Sequence, residues 1–115
     1  MNLSTEELGD VEEVAPEDIR RLLGGDAFGK FAILASSDDE FIQAGNNWQP
    51  TEACSQFMKE NGSDPWLLEF RASGKLHRAR GDRTLAEVIE AFTSYLRGEA
   101  AWRDQYWWIQ QKTKE

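Results

Sequence analysis

This chain has few of the residues that build covalent cross-links and metal sites. Its 115 residues include one cysteine, Cys54, and one histidine, His77. A single thiol excludes an internal disulfide, and these two residues are too few for a zinc site of the usual ligand set. The longest apolar runs fall far short of the ~20 residues that span a bilayer. We therefore expect no metal or other cofactor, no membrane contact, and a cytoplasmic location.

Basic residues are absent from the first 18 positions, which divides the chain electrostatically. Those positions hold seven acids, whereas the remainder holds 14 acids and all 13 bases, so most of the net charge of −8 comes from the N-terminus. Residues 1–14 also have few large apolar side chains, and such a segment buries too little surface to offset the entropy of ordering. The sequence therefore predicts an acidic mobile leader over residues 1–14 and a single domain over residues 15–115. An acidic chain is also a poor candidate for binding nucleic acid.

Three amphipathic segments predict helices, and five short segments rich in apolar and β-branched residues predict strands. The helices cover residues from Pro16 to Gly24–Gly25, residues 51–60 with Thr51 as N-cap, and residues 84–97 with a capping box of Thr84 and Glu87. The strands cover residues 30–36, 40–44, 66–72, 75–80 and 105–110, the last favoured over a helical continuation. The predicted class is α+β: an antiparallel β-sheet of four to five strands with helices packed on one face.

The clearest hairpin joins residues 66–72 and 75–80 through the turn Ser73–Gly74. In this register Phe70 faces His77 on one side of the sheet and Glu69 faces Arg78 on the other. Arg71, Arg78 and Arg80 then share the solvent side. They are interpreted as a solvated, partly paired surface, with the alternative that the acidic leader folds back over them.

Aromatic residues crowd the C-terminal segment and provide the main candidates for binding. Trp and Tyr are common anchors of protein interfaces. Trp107 and Trp108 cannot both face inward if their segment is a strand, because neighbouring side chains point to opposite faces. The candidate anchors are Tyr106, Trp107 and Trp108, and the candidate electrostatic contacts are Glu12, Glu13, Asp38 and Asp39.

The segment TLAEVIEAFTSYLRGEAAWRDQYWWIQ, residues 84–110, resembles the ending of small immunity proteins of bacterial polymorphic toxin systems. In both, an amphipathic helix and a Gly-containing break precede a Trp-bearing final strand. The matching residues are Leu85, Val88, Ile89, Phe92, Leu96, Gly98 and Trp107 or Trp108. The resemblance implies a bacterial, noncatalytic inhibitor that binds one cognate toxin, with acidic residues opposing a basic active site.

These features together predict a noncatalytic protein–protein binding module, as a monomer or homodimer, in the form of an immunity-type inhibitor. Two alternatives stay open. One is a small enzyme or small-molecule-binding domain with a pocket near His77. The other is a homodimeric structural adaptor joined through a sheet edge.

Overall fold

A computed structural model of the chain describes residues 1–24 and 27–111. Within these residues, seven strands form a single antiparallel sheet, and four helices accompany it. The strands are β1 (Asn2–Thr5), β2 (Gly9–Val11), β3 (Phe31–Ser37), β4 (Glu40–Asn46), β5 (Trp66–Ala72), β6 (Lys75–Ala79) and β7 (Trp108–Gln110). The helices are α1 (Pro16–Leu23), α2 (Glu52–Asn61), α3 (Leu85–Leu96) and α4 (Ala101–Asp104). The α+β class is confirmed, but the predicted count of four to five strands is too low.

The sheet follows the order β2-β1-β3-β4-β5-β6-β7, with every neighbouring pair antiparallel. The β5–β6 hairpin has the predicted register, with Phe70 opposite His77 and Glu69 opposite Arg78. Ser73 and Gly74 both have positive φ, 53° and 74°. Two such residues form the tight turn whose twist matches that of the flanking strands.

The prediction of a mobile leader over residues 1–14 is wrong, because this segment supplies two strands and part of the core. Leu3 on β1 is fully buried, and Val14 is 7% exposed. The loop between β1 and β2 is also fixed, since the Glu6 carboxylate accepts a hydrogen bond of 3.0 Å from the Lys30 amide. The apolar side chains of this segment are too few to form a core alone. They are buried here because β3 and the helices supply the apolar surface against which they pack.

The core lies between one face of the sheet and helices α1 and α3. Alternate residues of the central strands point into it, and Ile19, Leu23, Val88 and Phe92 meet them from the helices. The predicted capping box holds the start of α3, where the Thr84 hydroxyl accepts a bond from the Glu87 amide at 3.1 Å. Helix α1 ends at Leu23, as predicted, and Gly25 lies outside the described residues.

Helix α2 differs from the other long helices because none of its residues is buried. The predicted N-cap is present, with the Thr51 hydroxyl accepting a bond of 3.2 Å from the Cys54 amide. The apolar side predicted for this helix is only half covered: Cys54 and Phe57 are partly buried and Met58 is 38% exposed. The helix therefore lies at the margin of the core.

Candidate binding surface

One face of the sheet is not covered by any helix of the described residues across strands β3–β7, and we call it the outer face. It consists of the residues of these strands that alternate with the buried ones, together with Arg80 and Trp107, which pair just beyond the strand ends. Its members are Phe31, Ile33, Ala35, Phe41, Gln43, Gly45, Leu67, Glu69, Arg71, Leu76, Arg78, Arg80, Trp107 and Ile109.

Large apolar side chains are exposed on the outer face. Trp107 is 73% exposed, Ile109 is 49% exposed and Phe31 is 40% exposed. Ile33 and Leu67 are half-buried and extend the apolar surface between them. Arg78 on β6 and Arg80 just beyond it lie between these residues and the apolar pair Trp107 and Ile109. Several large apolar side chains exposed on one face are typical of a surface that contacts another molecule, whereas isolated exposed apolar residues are not.

A shallow depression of about 190 Å³ opens near the middle of the outer face. Its floor is Gly45 on β4, and Phe31 and Leu67 pair with Gly45 from the two neighbouring strands. No atom beyond the immediate chain lies within 4 Å of the position that a Cβ on Gly45 would take. The missing side chain therefore leaves space in which a partner's apolar group can insert between Phe31 and Leu67.

The polar groups of the outer face divide into a paired set and an unpaired set. Glu69 accepts hydrogen bonds from the Arg78 Nε at 2.9 Å and from the Gln43 amide nitrogen at 3.0 Å. Arg80 instead lies over the ring of Trp107, 5.8 Å from the ring centre. The Nε of Arg71 is buried and has no hydrogen-bond partner among the described residues.

The three aromatic candidates separate onto different surfaces. Trp107 faces outward, as the alternation rule requires of one member of the pair, and Trp108 turns inward against Phe70 at a ring-centre distance of 4.8 Å. Trp108 also donates from Nε1 to the Arg103 carbonyl at 2.8 Å. The expected strand at the C-terminus is present as β7, so the choice of a strand over a helix for residues 108–110 is confirmed.

Tyr106 belongs to an aromatic cluster on the covered side of the sheet rather than to an exposed anchor site. The cluster consists of Phe70, His77, Trp102, Tyr106 and Trp108. Tyr106 packs edge-on against Trp108 at 6.0 Å, and Arg83 lies over its ring. Burial, with a further contribution from the Glu87 carboxylate, raises the pKa of Tyr106 to about 12. Of the three predicted anchors, Trp107 is thus the most exposed.

The four acidic candidates lie together at one end of the sheet, which we call the turn end. Asp38 and Asp39 form the β3–β4 turn, and Glu12 and Glu13 follow β2. Asn2 pairs with Ala35, so the strand register brings both pairs of acids to this end. All four are exposed. Trp107 lies at the opposite end, where it pairs with Arg80.

His77 lies on the inner side, where it stacks on Phe70 with ring centres 4.7 Å apart and planes 10° from parallel. Its Nδ1 is buried without a hydrogen-bond partner among the described residues. A depression of about 710 Å³ runs between the end of α2 and the start of α3, and His77 does not line it. The structure therefore presents His77 as a packing residue of the aromatic cluster.

Sequence reasoning missed Phe31, Gly45 and Leu67. For Phe31 a signal exists in the run Phe31–Ala32–Ile33–Leu34–Ala35, in which the residues that point to either face of the strand are apolar. A strand covered on one face is expected to alternate between apolar and polar residues, whereas a strand apolar on both faces is expected to be covered on both. Here the second cover is missing.

Comparison of the chain with protein-family models, with curated proteins and with solved structures finds no match. Across the described part of the chain, no helix is both long enough and apolar enough to cross a membrane. Residues 1–24 and 27–111 likewise contain no group of three or more His, Cys, Asp or Glu side chains placed to hold a metal ion.

Proposed function

We propose that this protein acts without catalysis, by binding another protein through its outer face. The observation that carries the proposal is the sheet of seven strands whose helices α1 and α3 pack on one side only, with Phe31, Trp107 and Ile109 exposed on the other. A large flat surface with exposed aromatic anchors and a central depression suits a folded or extended protein segment.

The immunity-type inhibitor is the finer form of this proposal. An inhibitor of this kind needs a rigid surface that excludes water from its target, and the outer face is built on the five central and C-terminal strands rather than on loops. We place the activity in a bacterial cytoplasm, where the single thiol of Cys54 needs no disulfide partner.

A display library of genomic fragments from the source organism tests the proposal when it is selected on the immobilised full-length chain. The test variant is Phe31→Ser, which removes an exposed aromatic ring from the outer face. The matched control is Met58→Ser on α2, because Met58 is 38% exposed and Phe31 is 40% exposed. Thermal unfolding of each variant verifies that the fold is retained.

We expect the selected fragments to bind the wild type and Met58→Ser alike and to lose about 30-fold in affinity for Phe31→Ser, the roughly 2 kcal/mol typical of a hot-spot residue. Equal binding to all three proteins would mean that the contact lies elsewhere, and it would refute the proposal that the outer face is the binding surface. For the immunity-type form, the parent protein of a selected fragment should arrest growth when expressed alone. Co-expression of the wild type, but not of Phe31→Ser, should relieve that arrest.

A further inference from the structure

The outer face carries a local charge opposite to that of the whole protein. Its members include three arginines and one carboxylate, in a chain whose net charge is −8. Other acids border this face without belonging to it: Asp10 lies on β2, and Asp38 and Asp39 lie in the β3–β4 turn. Because electrostatic complementarity selects partners and fixes their orientation, this inversion indicates the chemistry of the segment that binds there.

Two of the three arginines have no carboxylate partner among the described residues. Glu69 is engaged by Arg78, through two nitrogens, and by Gln43. Arg71 and Arg80 make no ion pair with any described residue. A guanidinium presents a planar fork of hydrogen-bond donors that matches the two oxygens of a carboxylate. Arg71 and Arg80 are therefore each suited to bind an Asp or Glu side chain.

The apolar surroundings strengthen both sites. Arg71 lies between Phe41 on β4 and Leu76 on β6 in the strand register, and its Nε is already shielded from water. Arg80 is supported by the ring of Trp107. A carboxylate that meets a partly desolvated guanidinium interacts more strongly than the same pair in bulk water, because the local dielectric constant is lower.

We propose that the partner presents an acidic, extended segment to the outer face, with carboxylates on Arg71 and Arg80 and an apolar side chain in the depression at Gly45. Leu76, which pairs with Arg71, lies four residues from Arg80 along β6 and its continuation. Four residues of extended chain span about 13 Å. Two acids about four positions apart on an extended segment therefore reach both arginines.

The charge argues against two other occupants. A second copy of this chain, docked face to face about a two-fold axis, sets the arginines of one face against those of the other, and like charges repel. Single-stranded nucleic acid also stacks on aromatic residues beside arginines, but it carries a phosphate at every nucleotide, which is more negative charge than two unpaired arginines neutralise on a protein with a net charge of −8.

A random-peptide display library selected on the immobilised full-length chain tests this inference, which rests on the proposed function. The test variant is Arg71→Gln with Arg80→Gln, which removes both charges while keeping polar side chains. The control is Arg20→Gln, an exposed arginine on α1 on the covered side of the sheet. Affinities of the selected peptides are then measured by fluorescence anisotropy at low and high salt concentration.

We expect selected peptides to be enriched in Asp and Glu, to bind the double variant at least about tenfold more weakly than Arg20→Gln, and to weaken as salt rises. A different result is that peptides which fail to bind Phe31→Ser are neutral or basic, or bind the double variant as well as the wild type. That result would overturn the proposal of an acidic partner segment and leave the outer face as a binding surface. Peptides indifferent to Phe31→Ser would overturn the proposed function itself.

Two further measurements separate the other occupants. An oligothymidylate probe that binds the wild type tightly and competes with the selected peptides would replace the acidic segment with nucleic acid. A dimer in sedimentation equilibrium that dissociates in Phe31→Ser would replace it with a second copy. A monomer with no affinity for the oligonucleotide supports the inference.

Discussion

Replacing Leu3 by alanine tests whether the acidic N-terminus belongs to the folded unit. Leu3 is fully buried on β1, between β2 and β3, and is part of the same core as α1 and α3. Leu→Ala changes in protein cores cost about 2.7–5 kcal/mol, since the lost transfer free energy is joined by the cost of the residual cavity. A strand next to the sheet edge can relax, so we expect a value of about 3–4 kcal/mol.

The expected change in melting temperature follows from the size of the chain. An unfolding entropy of ~2.1 cal/mol/K per residue gives roughly 0.24 kcal/mol/K for this protein. Leu3→Ala should therefore lower the Tm by about 12–17 °C, measured by circular dichroism or calorimetry.

The matched control is Leu8→Ala, which lies five residues after Leu3 in the same N-terminal segment. Leu8 is 42% exposed, so its replacement should change the free energy of unfolding by less than about 0.5 kcal/mol. If both variants melted within about 2 °C of the wild type, residues 1–14 would lie outside the cooperative unit and the N-terminal strands would be refuted.

Two further predictions concern the caps and the tyrosines. Thr84→Ala removes the hydroxyl that accepts a hydrogen bond from the Glu87 amide, so urea unfolding should show that the free energy of unfolding falls by about 1 kcal/mol. Thr51→Ala should instead mainly speed amide hydrogen exchange in α2, because this helix buries no residue. Equal losses in the free energy of unfolding for the two variants would contradict this contrast. The pKa of Tyr106 is raised to about 12 and that of Tyr95 is also raised, both chiefly by burial, so tyrosinate absorbance should appear above pH 10 in the folded protein. Because the folded state prefers the neutral phenols, their contribution to the free energy of unfolding should be fully present below pH 10 and decrease as the pH rises towards 12. Urea unfolding across this pH range measures the change. Ionisation of both tyrosines at or below pH 10 would contradict this prediction.

The elements with strong local signals were predictable. Helix α3 combines an apolar stripe with a capping box, and the β5–β6 hairpin combines alternation with a turn whose two residues accept positive φ. Strands β1 and β2 have no such signal, because their four and three residues are dominated by polar and acidic side chains. Strand β1 is ordered by pairing with β3, about 30 positions further along the chain, and β2 pairs with β1 in turn. No local pattern reports a partner at that distance.

The binding surface was predictable only in part. Strand alternation was enough to place one of Trp107 and Trp108 outside, but not to say which. Phe31 and Leu67 become surface residues only because α1 and α3 both pack on the opposite face. Which face the helices choose depends on the tertiary fold, so the sequence showed two apolar positions in β3 without showing that one would be left uncovered.

The two charged regions of the protein are compatible with one interface of ordinary size. The seven residues of β4 span about 23 Å, from the acids of the turn end towards the Arg80–Trp107 pair at the other. An interface burying about 800 Å² on each partner is roughly 30 Å across, so a single partner covers both regions. Such a partner needs an acidic segment over Arg71 and Arg80 and a basic region over the turn end. Arg71 pairs with Phe41 beside the turn end, and Arg80 lies at the opposite end, so rotation of the partner by half a turn on the face keeps its acids on both arginines but moves its basic region away from the acids of the turn end. The acids of the turn end therefore favour one of these two orientations of the partner, while the exposed apolar side chains of Phe31, Trp107 and Ile109 supply the burial that holds it.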